Sequence, residues 1–515
     1  MLPLDNILLL FLLSATSSTT DVVGSFKISG TSGVPAMHAA LLPNGNVVFV
    51  DKIESWTHLK LPNGYPAYSS IYDPATQALR PLSLDPTVTD GLDAIRYLDA
   101  NGEQLEWLEP GNSLASNRWY PSAQVMSDGT IFVASGSLNG GDLTVHANNN
   151  PTYEILDRDG VSSGVNITMD ILVRNQPYWL YPFLHLLKDG TLFIFISRQS
   201  QIFDVDSRTV VKEMPDLPGF HRTYPNTGGS VMLPMSKMDD FEPSIMVCGG
   251  GQAQGVDSPS EDSCGIIQPM SDQSVWSYTS MPDHRVMVEG VNLLDGTILW
   301  INGAHTGAQG FGLADKPAYD ALIYDPKTRR WAKAGTSTIA RIYHSVALLL
   351  IDGTVLVSGS NPNEMPLHDD ELVADNQYRK FPTEFRNEIW TPPYLQGDKA
   401  KQRPTEIKFL ETTLRPGQEF TLTFKPARPL TTIDVVLHTN GFVTHAVHMG
   451  QVMYHLEQSG WVGLTNGTVK VKAKIPDIWL APGPYFVYVM ANGVPGTGQP
   501  VTINYGDLFE PVSIE

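Results

Sequence analysis

The chain has 515 residues and a formal net charge of -20, an acidic balance that nucleic acid and anionic lipid would repel. It contains only two cysteines, Cys248 and Cys264, which excludes a disulfide-dense scaffold, and its length accommodates two or three domains. Beyond the N-terminal region no segment is apolar enough for a membrane helix.

The first element in chain order is the apolar run Ile7 to Leu13, followed by small and hydroxylated residues from Ser14 to Thr20. Such a run suits the hydrophobic region of a signal peptide and is too short to span a bilayer. Residues 1–20 are expected to be removed on secretion, although Asp5 precedes the run and no Lys or Arg does. In an oxidising compartment Cys248 and Cys264 can pair across a short Gly- and Ser-rich loop. The sequons Asn166-Ile-Thr and Asn466-Gly-Thr would be open to glycosylation.

Gly and Pro are frequent and long helical periodicity is hard to find, so short apolar runs between turn clusters predict an all-β chain. One unit recurs at Pro43-Asn-Gly-Asn-Val-Val-Phe-Val50, Ser127-Asp-Gly-Thr130, Lys188-Asp-Gly-Thr191, Leu294-Asp-Gly-Thr297 and Ile351-Asp-Gly-Thr354. Each reads as a tight hairpin turn running into a buried strand. Ser244-Ile-Met-Val-Cys-Gly-Gly250 fits an intermediate copy, and Tyr72-Asp-Pro-Ala-Thr and Tyr324-Asp-Pro-Lys-Thr fit outer hairpins of the same unit. A period of roughly 50 to 60 residues predicts a kelch-type β-propeller over residues 21–400. The interval from Gly45 to Gly129 is too long for one repeat and too short for two, with the shortfall between Leu84 and Leu92. After Trp390-Thr-Pro-Pro-Tyr394 the repeats stop, and short alternating runs predict an immunoglobulin-like β-sandwich over residues 401–515.

Three segments join tyrosine or histidine to a strand edge: Arg118-Trp-Tyr120, Arg341-Ile-Tyr343-His344 and Thr444-His445-Ala-Val-His448. Each alone fits a hydrogen-bonded packing residue. Together, imidazole and phenolate donors suit copper(II) better than zinc or calcium. Spacing does not place them in one site.

These segments, with Tyr181-Pro-Phe-Leu-His185, Arg222-Thr-Tyr-Pro225, Arg285-Val-Met287, Gly359-Ser-Asn-Pro362 and Phe381-Pro-Thr-Glu-Phe385, resemble the copper radical oxidases of the glyoxal oxidase branch, related to galactose oxidase. The resemblance implies a seven-bladed propeller, one blade of it truncated here, and a C-terminal sandwich that carries a histidine to the copper. It implies Tyr120 as equatorial ligand and radical site, Tyr343 as axial ligand and general base, and His344 and His445 as imidazole ligands. The implied reaction oxidises a small aldehyde to a carboxylic acid while O2 becomes H2O2, in a monomer whose product can feed peroxide-using enzymes. Two departures stand out. Leu138 occupies the place of the indole that stacks on the radical tyrosine in galactose oxidase, which points away from sugar alcohols. The family also joins the radical tyrosine by a thioether to a cysteine that would fall between Leu84 and Leu92, and no cysteine precedes Cys248. A non-catalytic, copper- or carbohydrate-binding descendant is the alternative reading.

Overall fold

The computed structural model describes residues 24–83, 91–98, 106–108, 111–143, 145–465 and 467–506. The apolar N-terminal run, Asn466 and most of the Leu84 to Leu92 interval lie outside the described residues.

The recurring Asp-Gly-Thr joins the first and second strands of an antiparallel sheet. At Asp128, Asp189, Asp295 and Asp352 the carboxylate accepts from the backbone N–H and the hydroxyl of the threonine two residues on, at 2.6–3.1 Å. The glycine between them takes φ of +78° to +90°, a region that any other side chain enters only with strain. The outer turns at Asp73 and Asp325 work similarly, each carboxylate accepting from the hydroxyl of the threonine three residues on. Local side-chain chemistry therefore sets the register of these six hairpins.

Among the described residues six such antiparallel sheets follow one another, four of them with the Asp-Gly-Thr turn. Their first strands are His38–Leu41, Ser122–Val125, Phe183–Leu186, Gly229–Met232, Glu289–Asn292 and Ser345–Leu349. The sixth sheet takes its outermost strand from the N-terminus, where Ser25–Thr31 pairs with Arg386–Thr391 and ties the two ends of the region together. Consecutive sheets pack face to face through residues such as Val291, Leu299, Ala347 and Val357, all fully buried. Each large aliphatic side chain so buried contributes about 1.5–3 kcal/mol.

Between the first and second sheets lies a two-stranded hairpin, Tyr97–Leu98 with Trp107–Leu108. Leu98 and Trp107 cover the face of the first sheet formed by Leu42, Val48, Ile71 and Leu82. Trp107 Nε1 donates to Ser69 at 2.8 Å, and the Tyr97 hydroxyl donates to the carbonyl of Asp159, in the outer turn of the second sheet, at 2.5 Å. Beside this hairpin a cleft of about 1290 Å³ remains, lined mainly by apolar side chains including Leu42, Val125, Ile131 and Phe442.

The C-terminal region forms two further sheets. One contains Thr405–Phe409, Glu419–Lys425, Glu457–Gly463 and Val469–Lys474. The other is centred on Ile433–Thr439 and Gly483–Ala491, and Met235–Ser236 from the fourth repeat joins its edge through Val452–His455. Alternating burial along Glu419–Lys425 and Val469–Lys474 turns Phe420, Leu422, Phe424, Val469 and Val471 into the core shared with Val435, Leu437 and Val487. From this domain the hairpin Phe442–Thr444 with Val447–Met449 projects inward and pairs antiparallel with His38–Leu41. It touches the first strands of the second, third, fourth and sixth sheets.

Cys248 and Cys264 face each other on neighbouring strands of the fourth sheet and form a disulfide. Replacing both with alanine is expected to cost about 3 kcal/mol, the loop-closure value for their separation, measured by urea unfolding.

Candidate metal centre

Four buried arginines prepare the site. Arg118, Arg222, Arg285 and Arg341 stand at the entrances of the second, fourth, fifth and sixth sheets and donate to main-chain carbonyls of their own sheets. Arg118 also pairs with Glu154 at 2.7 Å and Arg341 with Glu388 at 2.9 Å. A guanidinium has enough donors to satisfy several carbonyls at once, so each one fixes the chain just before a first strand. Two residues further on come Tyr120, Tyr224, Met287 and Tyr343. The backbone is left-handed at Tyr120 (φ +64°), Tyr181 (+48°), Met287 (+60°), His344 (+66°) and His445 (+51°). Each such non-glycine conformation costs on the order of 1–3 kcal/mol and persists only where its surroundings enforce it.

The structure brings together all four residues expected to hold metal. The hydroxyls of Tyr120 and Tyr343 are 2.9 Å apart. The His445 ring lies 4.5 Å from the Tyr120 ring and 4.7 Å from that of His344, which stacks on Tyr343 at 3.7 Å. Tyr343, His344 and His445 are buried, and Tyr120 is partly exposed. His445 sits in the turn of the inward hairpin, its Nδ1 2.6 Å from the Thr444 hydroxyl and its carbonyl accepting from Gln309 Nε2 at 2.8 Å.

The donor atoms fit a metal ion. His445 Nε2 and both ring nitrogens of His344 have no hydrogen-bond partner although they are buried. An unpaired buried polar atom costs roughly 1–3 kcal/mol, and a metal ion between the two rings would satisfy one nitrogen of each. Burial holds both imidazoles well below their ordinary pKa, in the neutral form that binds metal. It also pushes the hydroxyls of Tyr120 and Tyr343 well above theirs, so a bound cation is needed to make either a phenolate. Two imidazoles alone fall short of the usual four donors, and the Tyr120 and Tyr343 oxygens beside them would complete such a set.

Two further tyrosines belong to the cluster. Tyr181 stacks on Tyr120 at 4.8 Å, and Tyr224 meets it edge-on at 5.0 Å. Burial raises the Tyr224 hydroxyl to about 12. Both lie in segments quoted above without a role, yet a signal was present: Tyr120-Pro121, Tyr181-Pro182 and Tyr224-Pro225 all immediately precede or lead into first strands. His448 is not part of the centre; it is buried beside Glu289, 4.0 Å away. Leu138 is about one-third exposed. Asn166 is exposed, its side-chain oxygen accepting from Arg118 at 2.6 Å.

Residues 84–394 match the family model described as glyoxal oxidase N-terminus, and residues 403–503 match the galactose oxidase-like, Early set domain. An aldehyde oxidase from Vitis pseudoreticulata is 31% identical, the match covering 94% of this chain and 98% of that protein. The chain belongs to the glyoxal oxidase-like copper radical oxidase family. An aldehyde oxidase from Arabidopsis thaliana is also 31% identical, over 92% of this chain and 83% of that protein. The Vitis alignment runs over 536 positions, more than 94% of this chain can fill, so that relative carries residues this family member lacks. A solved fungal alcohol oxidase in complex with copper shares the fold, with a TM-score of 0.70 at 20% identity over 94% of this chain and all of that one.

Two outcomes follow for the family member in hand. Arg341→Met should destabilise it by about 3–5 kcal/mol in urea unfolding, because Glu388 would keep a buried charge without its partner. The metal-free protein should also lose stability between pH 7 and 5.5. Six buried imidazoles, of His38, His185, His344, His438, His445 and His448, have folded pKa values below 6.5, so only the unfolded chain takes up their protons in that window. Asp51, Glu54 and Glu289, raised by burial, oppose the trend but number three. Unfolding free energies at the two pH values check the sign.

Proposed function

We propose that this chain is a secreted, monomeric oxidase of small aldehydes such as glyoxal or methylglyoxal. In this reading it takes them as hydrates to carboxylic acids while O2 is reduced to H2O2. The convergence of Tyr120, Tyr343, His344 and His445, with unpartnered imidazole nitrogens between them, supports it most directly. Those four residues would hold one copper ion. Bound copper(II) would favour the phenolate forms and accept one of the substrate's two electrons, the radical form of Tyr120 accepting the other, and O2 would take up both as H2O2. Tyr343, hydrogen-bonded to Tyr120, is placed to take the substrate's hydroxyl proton at its Oη. Buried walls around Tyr343 and His344 keep bulk water from that proton. Leu138, where galactose oxidase has an indole, favours small aldehydes over galactose.

The region forms in this reading a seven-bladed kelch-type propeller whose reduced blade is the Tyr97–Leu98 and Trp107–Leu108 hairpin. An immunoglobulin-like sandwich supplies His445. Export would remove residues 1–20 and expose Asn166 and Asn466 to glycosylation.

One observation favours a second reading, a non-catalytic copper- or carbohydrate-binding protein. Both cysteines are consumed in the Cys248–Cys264 disulfide, so none is available to crosslink Tyr120. The chain is accordingly expected to bind copper yet produce peroxide weakly. A tenfold loss requires only about 1.4 kcal/mol at the transition state.

Metal analysis after copper loading should give about one equivalent per chain, lost in His344→Ala and His445→Ala. Unchanged copper in both variants would defeat the assignment. A peroxide assay with methylglyoxal and galactose decides the substrate, and faster turnover of galactose would refute the aldehyde preference.

A further inference from the structure

The Tyr181 ring touches two of the four donors at once. Its centroid lies 4.8 Å from that of Tyr120 with the planes 25° apart, and 4.8 Å from that of His445 with the planes 31° apart. Tyr120 and His445 are themselves 4.5 Å apart, so the three rings form a closed triangle with Tyr181 backing the other two. Its hydroxyl meets the Thr444 side chain, whose Oγ1 is 2.6 Å from His445 Nδ1. Its backbone N–H donates to the Tyr120 carbonyl at 3.2 Å, although Tyr181 belongs to the next sheet. The backbone at Tyr181 is left-handed (φ +48°), a conformation that a non-glycine residue holds only where its surroundings enforce it.

We propose that Tyr181 is a positioning residue that fixes the ring planes of Tyr120 and His445 by stacking, and so presets the donor geometry. The inference rests on the copper reading above. It gives a non-covalent answer to a specific need: Tyr120 is partly exposed, has no cysteine to be tied to, and Leu138 cannot stack as an aromatic would. Offset and tilted aromatic contacts at these separations restrain both rings without a covalent link. Tyr224 meets Tyr120 edge-on from the fourth sheet at 5.0 Å, and the neighbouring Trp119 ring lies 5.3 Å away.

Full-length wild type, Tyr181→Phe, Tyr181→Leu and Tyr181→Met are compared by competition titration with copper(II), and by the phenolate-to-copper(II) absorption band of the loaded proteins. Tyr153→Leu, an equally buried tyrosine on the second sheet, serves as the control for simple loss of packing. Tyr181→Phe should hold copper within about twofold of wild type and keep the band. Tyr181→Leu should bind about tenfold more weakly with a displaced or diminished band, and Tyr181→Met should repeat this if the leucine variant does not fold. Tyr153→Leu should melt earlier with affinity and band unchanged. Wild-type affinity and band in the leucine or methionine variant would overturn the inference while leaving the copper reading intact, as would equal damage from phenylalanine. A wild type that takes up no copper would overturn both.

Discussion

The centre depends on one inward hairpin. Phe442–Thr444 and Val447–Met449 leave the C-terminal domain, pair with the first strand of the first sheet, and set His445 among rings from the segments leading into four other first strands. The register is fixed by Thr444 lying opposite His38, and at the base of the hairpin by Asn440, which exchanges hydrogen bonds with the backbone of Leu349. Gln451 does the same with Asn292 and Gly290. A slip of one residue would reverse which face of the strand each side chain occupies. His445 would then leave the pocket.

Rigidity on the other side comes from the arginines. Each guanidinium spends its donors on backbone carbonyls that a strand ladder leaves unpaired, and after Arg118, Arg285 and Arg341 the chain continues through a left-handed residue at Tyr120, Met287 and His344. The result is a ring of tyrosines from separate sheets with hydroxyls and rings in contact before any metal arrives. Preorganisation of this kind moves the cost of ordering the donors from the binding step to folding. The buried imidazoles with unpaired nitrogens are the residue of that choice, stable only because the surrounding sheets are well packed.

Much of this was legible in the chain itself. Asp-Gly-Thr repeats mark turns because a short carboxylate, a left-handed glycine and a β-branched hydroxyl each have a local reason to be there. Tyr120, Tyr343, His344 and His445 were picked out by the family resemblance, since each motif alone fits an ordinary packing residue. Residue pattern by itself did not give their proximity, which only the resemblance implied, since 325 positions separate Tyr120 from His445 and no local pattern encodes a contact made by a hairpin crossing between domains. Tyr181 and Tyr224 went unassigned for a different reason. A tyrosine before a strand is usually packing, and only the Tyr-Pro pairs read together across three repeats separate these from ordinary core residues. The two-stranded replacement at Tyr97–Leu98 and Trp107–Leu108 could not be foreseen either, because two-residue strands leave too short a period to detect.

The most direct test is a crystal structure of the copper-loaded protein with anomalous data collected on both sides of the copper absorption edge. A single copper peak within bonding distance of the Tyr120 and Tyr343 hydroxyls and of one ring nitrogen each of His344 and His445 is predicted. A protein folded as described, with copper bound at other side chains and no peak between these four, would contradict the assignment of the centre.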